Sequence, residues 1–264
     1  MFGEKTDGQM NVKRICPYTA DMAILGKHSR IRLISHTIWI FEYIFFYPKL
    51  RRSLTALPGL KPQSVILDIG GNRGQSVKFF RRIFKDIEIY SFEPSPRIFK
   101  FLAGLNVTNF RAFNLGVSSK NGVGIFYESL LDEASTFDLP NIDSEWHKTK
   151  SRILGVAKGK MYSQITVAIK TIDTIVIENQ VQGIFLLKVD VEGHEFEVLS
   201  GANGTFSKRM IENIQIERHL DDLRVSDAIE IHNFLDHHGF SKIASIKHSI
   251  GNFYEDIYTL KNSI

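Results

Sequence analysis

The sequence predicts an α/β protein with a mostly parallel sheet, helices on both faces of that sheet and an antiparallel hairpin near its C-terminal end. Three observations indicate this fold class. Strand-like and helix-like segments alternate from Ser64 onward, which is typical of strands joined by helical crossovers. The first strand is a continuous branched apolar run, as expected of a strand covered on both faces. The last two strand-like segments follow each other with only a turn between them.

The first strand, turn and helix form the best-defined unit. The apolar residues 65–67 make the strand, and Asp68 follows at its C-terminal tip. A turn comes next and contains Gly70, Gly71 and Gly74. Residues 75–84 then show the apolar spacing of an amphipathic helix. Strand, glycine turn and helix together form a cradle in which the backbone approaches a nucleotide closely.

The remaining elements follow in order along the chain. We expect strands at 88–92, 109–117, 122–128, 183–191 and 214–217. We expect helices at 96–105, around 196–199 and at 226–238. The closing hairpin is predicted at 240–247 and 256–260, with Gly251 and Asn252 in the turn region.

The chain divides near residue 60. Residues 1–60 are expected to form an N-terminal helical extension and residues 61–264 the main domain, with a proline- and glycine-containing linker at 58–62. Residues 129–182 are polar and break the alternation of strands and helices. We interpret them as an insert on the substrate side of the sheet.

Composition limits the functional classes. Of the 264 residues, 43% are hydrophobic and 23% charged, as in a globular protein with a full core. The net charge of +4 is too small to indicate nucleic-acid binding, and the basic run at 148–160 is interpreted as a solvated face. The single cysteine, Cys16, excludes an internal disulfide and fits a reducing compartment. Residues 1–21 lack the apolar region of a secretory signal, so a cytoplasmic location is expected.

Residues 31–47 form an aromatic stretch with basic residues on both sides. Arg32, His36 and Glu42 interrupt it, which makes it too short and too polar for a transmembrane span. Two interpretations stay open. The helix packs on the domain or makes a homodimer contact, or it lies in the plane of a bilayer with its basic flanks near anionic headgroups. The second would place the protein peripherally at the inner face of the membrane.

Two nucleotide cofactors compete for the glycine turn. A dinucleotide site has the spacing Gly-x-Gly-x-x-Gly, which Gly70 and Gly74 do not match. Asp68 beside a pyrophosphate would be unfavourable. Beside the ammonium or sulfonium of S-adenosylmethionine it contributes about 1–4 kcal/mol at about 4 Å, depending on the dielectric. Glu93, at the tip of the second strand, is the expected acceptor for both ribose hydroxyls in either kind of site.

A second cluster lies at 187–195. Lys188 interrupts an apolar strand, so its ammonium needs a partner. Four titratable residues crowd the next turn: Asp190, Glu192, His194 and Glu195. Like charges this close raise at least one pKa unless a cation is present, which predicts a functional site. The alternative is a hydrophilic loop with Glu192 and Glu195 facing solvent.

Taken together, several motifs resemble the FkbM family of class I methyltransferases. They are Asp68-Ile-Gly-Gly-Asn-Arg-Gly74, Phe92-Glu-Pro-Ser95, Lys188-Val-Asp-Val-Glu-Gly-His-Glu195 and Val198-Leu-Ser-Gly-Ala202. Ala134-Ser-Thr136 and Thr171-Ile-Asp173 are similar to two further family segments. The resemblance covers residues 65–217. It departs from the usual family pattern at Gly71, where alanine is common, and at Thr136, where serine is common.

The resemblance implies a Rossmann-like, seven-stranded sheet and methyl transfer from S-adenosyl-L-methionine, usually to a hydroxyl oxygen. Asp68, Gly70, Asn72 and Gly74 would line the methionine part, with Gly71 in the same motif. Glu93 would hold the ribose, with Pro94 beside it. The segment 114–118, with Asn114, Gly116 and Ser118, would lie near the adenine. Asp190 and Glu192 would face the reaction centre.

A hydroxyl acceptor needs a base, because it is a poor nucleophile until its proton is removed. Asp190 is the first candidate, His194 the second and His219 the third. A metal-assisted version is an alternative, in which Asp190 and Glu217 at adjacent strand tips hold Mg²⁺. The sequence shows no third oxygen ligand for such an ion.

The leading hypothesis is therefore an O-methyltransferase acting on a glycan or small-molecule acceptor, in polysaccharide or secondary-metabolite biosynthesis. A nicotinamide-dependent oxidoreductase is disfavoured by the glycine spacing and by Asp68. A non-catalytic membrane-associated adaptor on the same fold is disfavoured because the chain retains Asp68, Glu93 and Asp190. No nucleic-acid partner is expected.

Overall fold

The computed structural model describes residues 41–130, 135–139, 161–219, 225–249 and 253–261. A π-helical turn at Glu42–Phe46 precedes the α-helices α1 (Tyr47–Thr55), α2 (Gln75–Ile83), α3 (Pro96–Ala103), α4 (Ile172–Glu178), α5 (Glu195–Ser200), α6 (Asn203–Ser207) and α7 (Val225–His237). The strands are β1 (Ser64–Ile69), β2 (Glu88–Phe92), β3 (Phe110–Phe113), β4 (Gly116–Val117), β5 (Gly122–Ser129), β6 (Tyr162–Lys170), β7 (Gly183–Val189), β8 (Ile211–His219), β9 (Phe240–Lys247) and β10 (Phe253–Leu260).

The described residues form a seven-stranded main sheet in the order β3-β2-β1-β7-β8-β10-β9. Strands β3, β2, β1, β7 and β8 are parallel, and β10 is antiparallel to both β8 and β9. This confirms the predicted α/β class, a mostly parallel Rossmann-like sheet with a C-terminal antiparallel hairpin. The strand order changes direction between β1 and β7, where ligands bind in sheets of this kind.

Helices cover both faces of the sheet. One face packs on α1, α2 and α3 through residues such as Leu54, Phe80 and Leu102. The other face packs on α4 to α7, with Ile172, Val198, Phe206 and Leu235 among the buried residues. Alternate residues of a strand point to opposite faces, so β1 contributes to both cores, which explains its uninterrupted apolar run.

The register aligns polar side chains near the carboxyl ends of the strands. Asp68 in β1 lies opposite Ser91 in β2 and Lys188 in β7, and Lys188 lies opposite Gln215 in β8. Because β10 runs antiparallel, its first residues reach the same edge, and Glu255 pairs with Glu217. Acidic and basic groups from several strands therefore meet at one end of the sheet.

Two predicted elements differ from the structure. The strand expected at 109–117 is divided, since β3 belongs to the main sheet while β4 joins a separate three-stranded sheet, β4-β6-β5. The segment 129–182, expected to be one irregular insert, contains the nine-residue strand β6 and helix α4 at its C-terminal end. Strand β6 alternates exposed and buried residues, a pattern that its polar composition concealed.

Part of the N-terminal extension packs into the core. Phe46, Leu50, Leu54 and Leu57 are buried against residues of β1, α2 and β9. Pro48 lies in the first turn of α1, where its missing N–H needs no partner, so the helix continues through it to Thr55. Of the described residues 41–47, Phe46 is buried in the core while Phe41, Tyr43, Ile44 and Phe45 are exposed, so both interpretations of the 31–47 segment stay predictions. The division of the chain at residue 60 stays a prediction.

Several sequence predictions lie outside the described residues. They concern Cys16, residues 31–40, Ala134, the basic run at 148–160, and the Gly251–Asn252 turn. Within the described part of the chain, the helices are too short or too polar to cross a bilayer.

Candidate functional site

The glycine turn after β1 requires its glycines for steric reasons. Gly70 has φ +84°, and a Cβ there would lie 1.9 Å from the carbonyl oxygen of Asp190. Gly74 has φ +81° and a Cβ there would meet Leu105 at 2.2 Å. Only glycine adopts these angles without strain and permits this approach. The turn is thereby held directly against the segment that follows β7.

The backbone N–H groups of the turn are used within the protein. Those of Gly70 and Gly71 both donate to the carbonyl oxygen of Phe92, at 3.0 and 2.9 Å, and that of Gly74 donates to Gly71 at 2.8 Å. The Asn72 N–H donates to Oε2 of Glu93 at 3.0 Å, and the Arg73 N–H to Oδ1 of Asn72 at 2.7 Å. A pyrophosphate at this turn would find these donors already engaged. This arrangement disfavours a nicotinamide dinucleotide.

Glu93 is positioned by backbone donors on both sides. Its Oε1 accepts from the N–H of Ser95 at 2.9 Å and its Oε2 from Asn72. The residue is buried, and a carboxylate group has about four acceptor sites in all. Asn114, which follows β3, donates its side-chain amide to the carbonyl oxygens of Glu93 and Pro94, at 2.8 and 3.1 Å. The acid at the β2 tip is thus fixed between the glycine turn and the predicted adenine side.

Asp68 is completely buried beneath the turn. Its Oδ2 accepts from the hydroxyls of Ser76 and Ser91, at 2.8 and 2.6 Å. Its Oδ1 lies 3.7 Å from Nζ of Lys188. The positive group beside Asp68 is therefore a lysine of this chain, so direct contact of Asp68 with a cationic cofactor stays a prediction.

Lys188, which interrupts an apolar strand, has the two acidic partners that a buried ammonium needs, Asp68 and Asp190. Nζ donates to Oδ2 of Asp190 at 2.8 Å, and the side chain is almost completely buried. Burial by itself lowers the pKa of this ammonium, but the carboxylates of Asp190, Asp68 and Glu255 outweigh it and raise the pKa above that of an ordinary lysine. Lys188 therefore places a positive charge between the glycine turn and Asp190.

Glu217 lies beside Asp190 across the β7 and β8 strand ends. Burial raises the pKa of the Glu217 carboxyl well above its ordinary value, and the negative charges of Asp190 and Glu255 raise it further. The two side chains of Glu217 and Asp190 are hydrogen-bonded. Asp190 and Glu217 therefore form a carboxyl pair beside Lys188, in which burial and neighbouring negative charge raise the pKa of Glu217.

Backbone geometry shapes the turn after β7. Glu192 has φ +58° and Gly193 φ +109°. Oε1 of Glu195 accepts from the N–H groups of Val191 and Gly193, at 3.3 and 3.1 Å. Glu195 is buried, in contrast to the alternative that it faces solvent. Its role in the described structure is to stabilise this turn, while Asp190, Glu192 and Glu217 each place one oxygen within 4.8 Å of the others.

His194 faces the second sheet. Its Nε2 lies 2.9 Å from Oγ of Ser118, and its Nδ1 lies 3.3 Å from Oδ1 of Asp138. Its ring also packs on Phe137, with centroids 5.2 Å apart. The structure thus joins two predicted site residues, Ser118 and His194, that the sequence assigned to different roles. Gly116 lies nearby, where a Cβ would meet Phe137 at 2.2 Å.

Other parts of the resemblance have structural explanations. Asp173 accepts from the N–H groups of Gly204 and Thr205, and so caps the start of α6. Thr136 pairs with Tyr127 in an antiparallel bridge. His219 ends β8, but its side chain lies outside the described structure, and its role as a base stays a prediction.

Sequence reasoning missed Gln215, Glu255 and His248 at this edge. Gln215 donates from Nε2 to Oε2 of Glu255 at 3.0 Å, and both residues are buried. His248 follows β9, with Nε2 3.9 Å from Oε1 of Glu217 and 3.8 Å from Oε1 of Glu255. Polar residues interrupting the apolar pattern of β8 and β10 were the available signal, but only strand pairing places them together.

Comparison with known proteins gives one match to a family model, described as the methyltransferase FkbM domain, over residues 68–242. The 2-O-methyltransferase NoeI of Sinorhizobium fredii (strain NBRC 101917 / NGR234) is 28% identical over 165 residues, which cover 61% of this chain and 65% of that protein. The aligned part is thus less than two thirds of this relative.

Two solved structures illustrate the likeness in three dimensions. Methyltransferase FkbM of Methylobacillus flagellatus KT is 13% identical with a TM-score of 0.49, covering 78% of this chain and 47% of that one. An rRNA methylase of Streptococcus thermophilus is 12% identical with a TM-score of 0.44, covering 81% of this chain and 95% of that one. At these scores, the family assignment depends on the family model.

Proposed function

This chain belongs to the FkbM methyltransferase family, and on that premise we propose that it transfers a methyl group from S-adenosylmethionine to a hydroxyl oxygen of a glycan or small-molecule acceptor. The observation that carries the proposal is the Lys188–Asp190–Glu217 arrangement beside the glycine turn. It supplies a carboxylate paired with a lysine at the strand edge where the proposed cofactor half of the site ends.

In this proposal, S-adenosylmethionine binds at the carboxyl ends of β1 and β2. The Gly70–Gly74 turn and Asp68 would hold the methionine part, and Glu93 the ribose hydroxyls. Support comes from the burial of Glu93 and its fixation by two backbone N–H groups. A carboxylate fixed in this way can accept two hydroxyl hydrogens without moving. Asn114, Gly116 and Ser118 would border the adenine.

Asp190 is the proposed base. S-adenosylmethionine supplies a methyl group already activated by its sulfonium, so the protein has to align the acceptor and accept its proton. Asp190 takes that proton as the acceptor oxygen bonds to the methyl carbon and the carbon–sulfur bond breaks. Lys188 donates a hydrogen bond to Asp190 and would favour its ionised form, and Glu217 would hold the orientation of the Asp190 side chain. Glu192 would contact the acceptor.

A Mg²⁺-assisted reaction is the second version. Glu192 supplies the third oxygen ligand that the sequence did not show, since Asp190, Glu192 and Glu217 lie close enough to share an ion. One observation weighs against it: Lys188 already neutralises Asp190, with Nζ 2.8 Å from Oδ2. We therefore favour the metal-free base, and turnover that is abolished by EDTA and restored by Mg²⁺ would reverse that preference.

The acceptor class is inferred from the family and from NoeI, whose name describes 2-O-methylation. Incorporation of labelled methyl groups into glycan pools and a panel of methyl glycosides tests it. Calorimetric titration with S-adenosylhomocysteine, NAD and NADP tests the cofactor. Tighter binding of either nicotinamide nucleotide would refute the methyltransferase proposal.

We further propose that the N-terminal segment contacts an anionic bilayer surface. The π-helical turn and the residue before it contain four exposed apolar or aromatic residues, each with 44–57% of its surface accessible: Phe41, Tyr43, Ile44 and Phe45. Lys49, Arg51 and Arg52 are exposed on the helix that follows. Aromatic residues beside basic ones suit the interface of an anionic membrane.

Co-sedimentation with vesicles that contain phosphatidylserine tests the bilayer proposal. Deleting the segment is unsuitable because Leu50 and Leu54 are in the core. Replacing Tyr43, Ile44 and Phe45 together with serine should abolish sedimentation while preserving the melting temperature. A homodimer through this surface would instead give a change in sedimentation velocity and no vesicle binding.

A further inference from the structure

The contacts of His248 connect the N-terminal segment to the edge of the sheet. His248 lies one residue beyond β9, at the edge of the sheet that also carries the carboxylates of Glu217 and Glu255. On its other side, Nδ1 lies 3.3 Å from Oε2 of Glu42, the first residue of the π-helical turn. The imidazole is therefore within 4 Å of carboxylates from three elements, the N-terminal turn, β8 and β10.

The N-terminal turn holds His248 by several contacts. The Phe46 ring stacks on the imidazole, with centroids 3.8 Å apart and planes 24° apart. Oε1 of Glu42 accepts from the N–H of Ser249 at 2.8 Å, and the Ser249 hydroxyl donates to the carbonyl oxygen of Phe41 at 3.1 Å. Side-chain and backbone contacts thus clamp two consecutive residues after β9. The orientation of the ring is set by a segment that lies more than 150 residues away in sequence.

We infer that His248 is a positioning residue, which orients Glu217 on the acceptor side of the site. Glu42 and Phe46 of the N-terminal segment act on the site by holding His248 in place. This inference rests on the proposed function of the Asp190–Glu217 pair. Glu217 is in contact with Asp190 on one side and lies 3.9 Å from His248 on the other.

The electrostatics of the edge explain why an imidazole is placed there. Glu42, Glu217 and Glu255 are largely buried, and a buried carboxylate is costly without a nearby donor or positive charge. Lys188 forms ion pairs with Asp190 and Asp68, on the side of the sheet edge formed by β1 and β7. His248 is the basic side chain closest to the remaining carboxylates among the described ion pairs. Nε2 of His248 is buried with no hydrogen-bond partner among the described residues, and it lies 3.9 Å from Glu217 and 3.8 Å from Glu255.

The test compares Glu42→Gln, His248→Asn and the double variant in the full chain, with Thr55→Ala on the exposed side of α1 as the control. Turnover is measured on the methyl glycoside that the wild-type chain uses best. Each single variant should lower kcat about tenfold, which is within the cost of a small misplacement of a reacting group. KM for S-adenosylmethionine and affinity for S-adenosylhomocysteine should be unchanged, as should all parameters of Thr55→Ala.

The double variant separates positioning from stability. If Glu42 acts through His248, Glu42→Gln has no further effect in the His248→Asn background. Multiplicative losses, or equal losses of kcat and cofactor affinity, would overturn the inference. A stoichiometric divalent metal that His248→Asn loses would also overturn it, because His248 would then be a ligand.

A second measurement, by NMR, tests the inference without any methyl acceptor. The ring ¹⁵N signals of His248, assigned by their loss in His248→Asn, should shift in both Glu42→Gln and Glu217→Gln. Unchanged signals in either variant would refute the inference even if no glycoside is methylated. Absence of turnover by a wild-type chain that binds S-adenosylhomocysteine would instead count against the proposed acceptor class.

Discussion

Nζ of Lys188 lies 2.8 Å from Oδ2 of Asp190, two residues further along the chain. The same ammonium lies 3.7 Å from Oδ1 of Asp68, so one buried cation connects the cofactor turn to the proposed base. The two halves of the site are therefore electrostatically linked, and removal of the lysine should affect both.

Replacing Lys188 with methionine should destabilise the fold, because it leaves two carboxylates at a buried edge without their cation. We expect a loss of about 3 kcal/mol or more in the free energy of unfolding by urea. Lys170→Met is the matched control, since Lys170 pairs with Glu178 at an exposed site and should cost less than about 1 kcal/mol. Similar losses in the two variants would show that Lys188 is not needed to neutralise the edge.

Asp190→Asn should abolish most turnover and leave the cofactor half intact. The amide cannot accept the acceptor's proton, so kcat should fall by about 10²-fold or more. Binding of S-adenosylhomocysteine by calorimetry should stay close to wild type. Asp138→Asn removes a contact of His194 and should have little effect, so a large loss in that variant would make His194 the better candidate base.

Glu93→Ala should weaken cofactor binding. The lost hydrogen bonds to a charged acceptor predict about a 100-fold lower affinity for S-adenosylhomocysteine, or about 2.7 kcal/mol. Glu88→Ala, at the opposite end of the same strand, provides the control. Equal affinities in the two variants would contradict the assignment of Glu93 to the ribose.

Gly70→Ala should destabilise the chain by about 2–3 kcal/mol, because φ is +84° and the added Cβ would lie 1.9 Å from the Asp190 carbonyl oxygen. Gly122→Ala isolates the backbone contribution, since φ is +142° there with nothing within 4 Å. Chemical denaturation of both variants measures the difference. A cost at Gly70 no larger than at Gly122 would mean that the close approach is easily relieved.

Asp256 should make stability depend on acid pH. Burial acts to raise the pKa of its carboxyl, but hydrogen bonds from Arg218, Lys242 and Ser245 outweigh it, and the folded pKa lies below the ordinary value of 3.8. A depressed pKa gives stability that is present above the unfolded pKa and is lost as the pH falls through the folded one. Asp256→Asn should therefore lower the unfolding free energy at pH 7 and flatten its decline below about pH 4. Asp86→Asn, at an exposed site, should change neither, and an unchanged acid slope in Asp256→Asn would refute the assignment.

The local elements were predictable because their signals are local. The apolar run of β1, the glycines at positive φ and the amphipathic α2 each follow from a few adjacent residues. Periodicity failed where a strand changes sheets, between Phe113 and Gly116, because both halves have similar composition. It also failed at β6, whose exposed polar residues conceal a buried alternate set.

The sequence by itself determined the fold class, the family and the two acidic motifs around Asp68 and Asp190, because strand propensity, turn geometry and motif spacing are properties of neighbouring residues. Tertiary structure alone decided which charged groups surround those acids. These are Lys188, Glu217, Glu255, His248 and Glu42, which come from the N-terminal turn and from four strands or their ends. Only sheet order and register bring them within a few ångströms, where burial and nearby negative charges raise the pKa of Glu217.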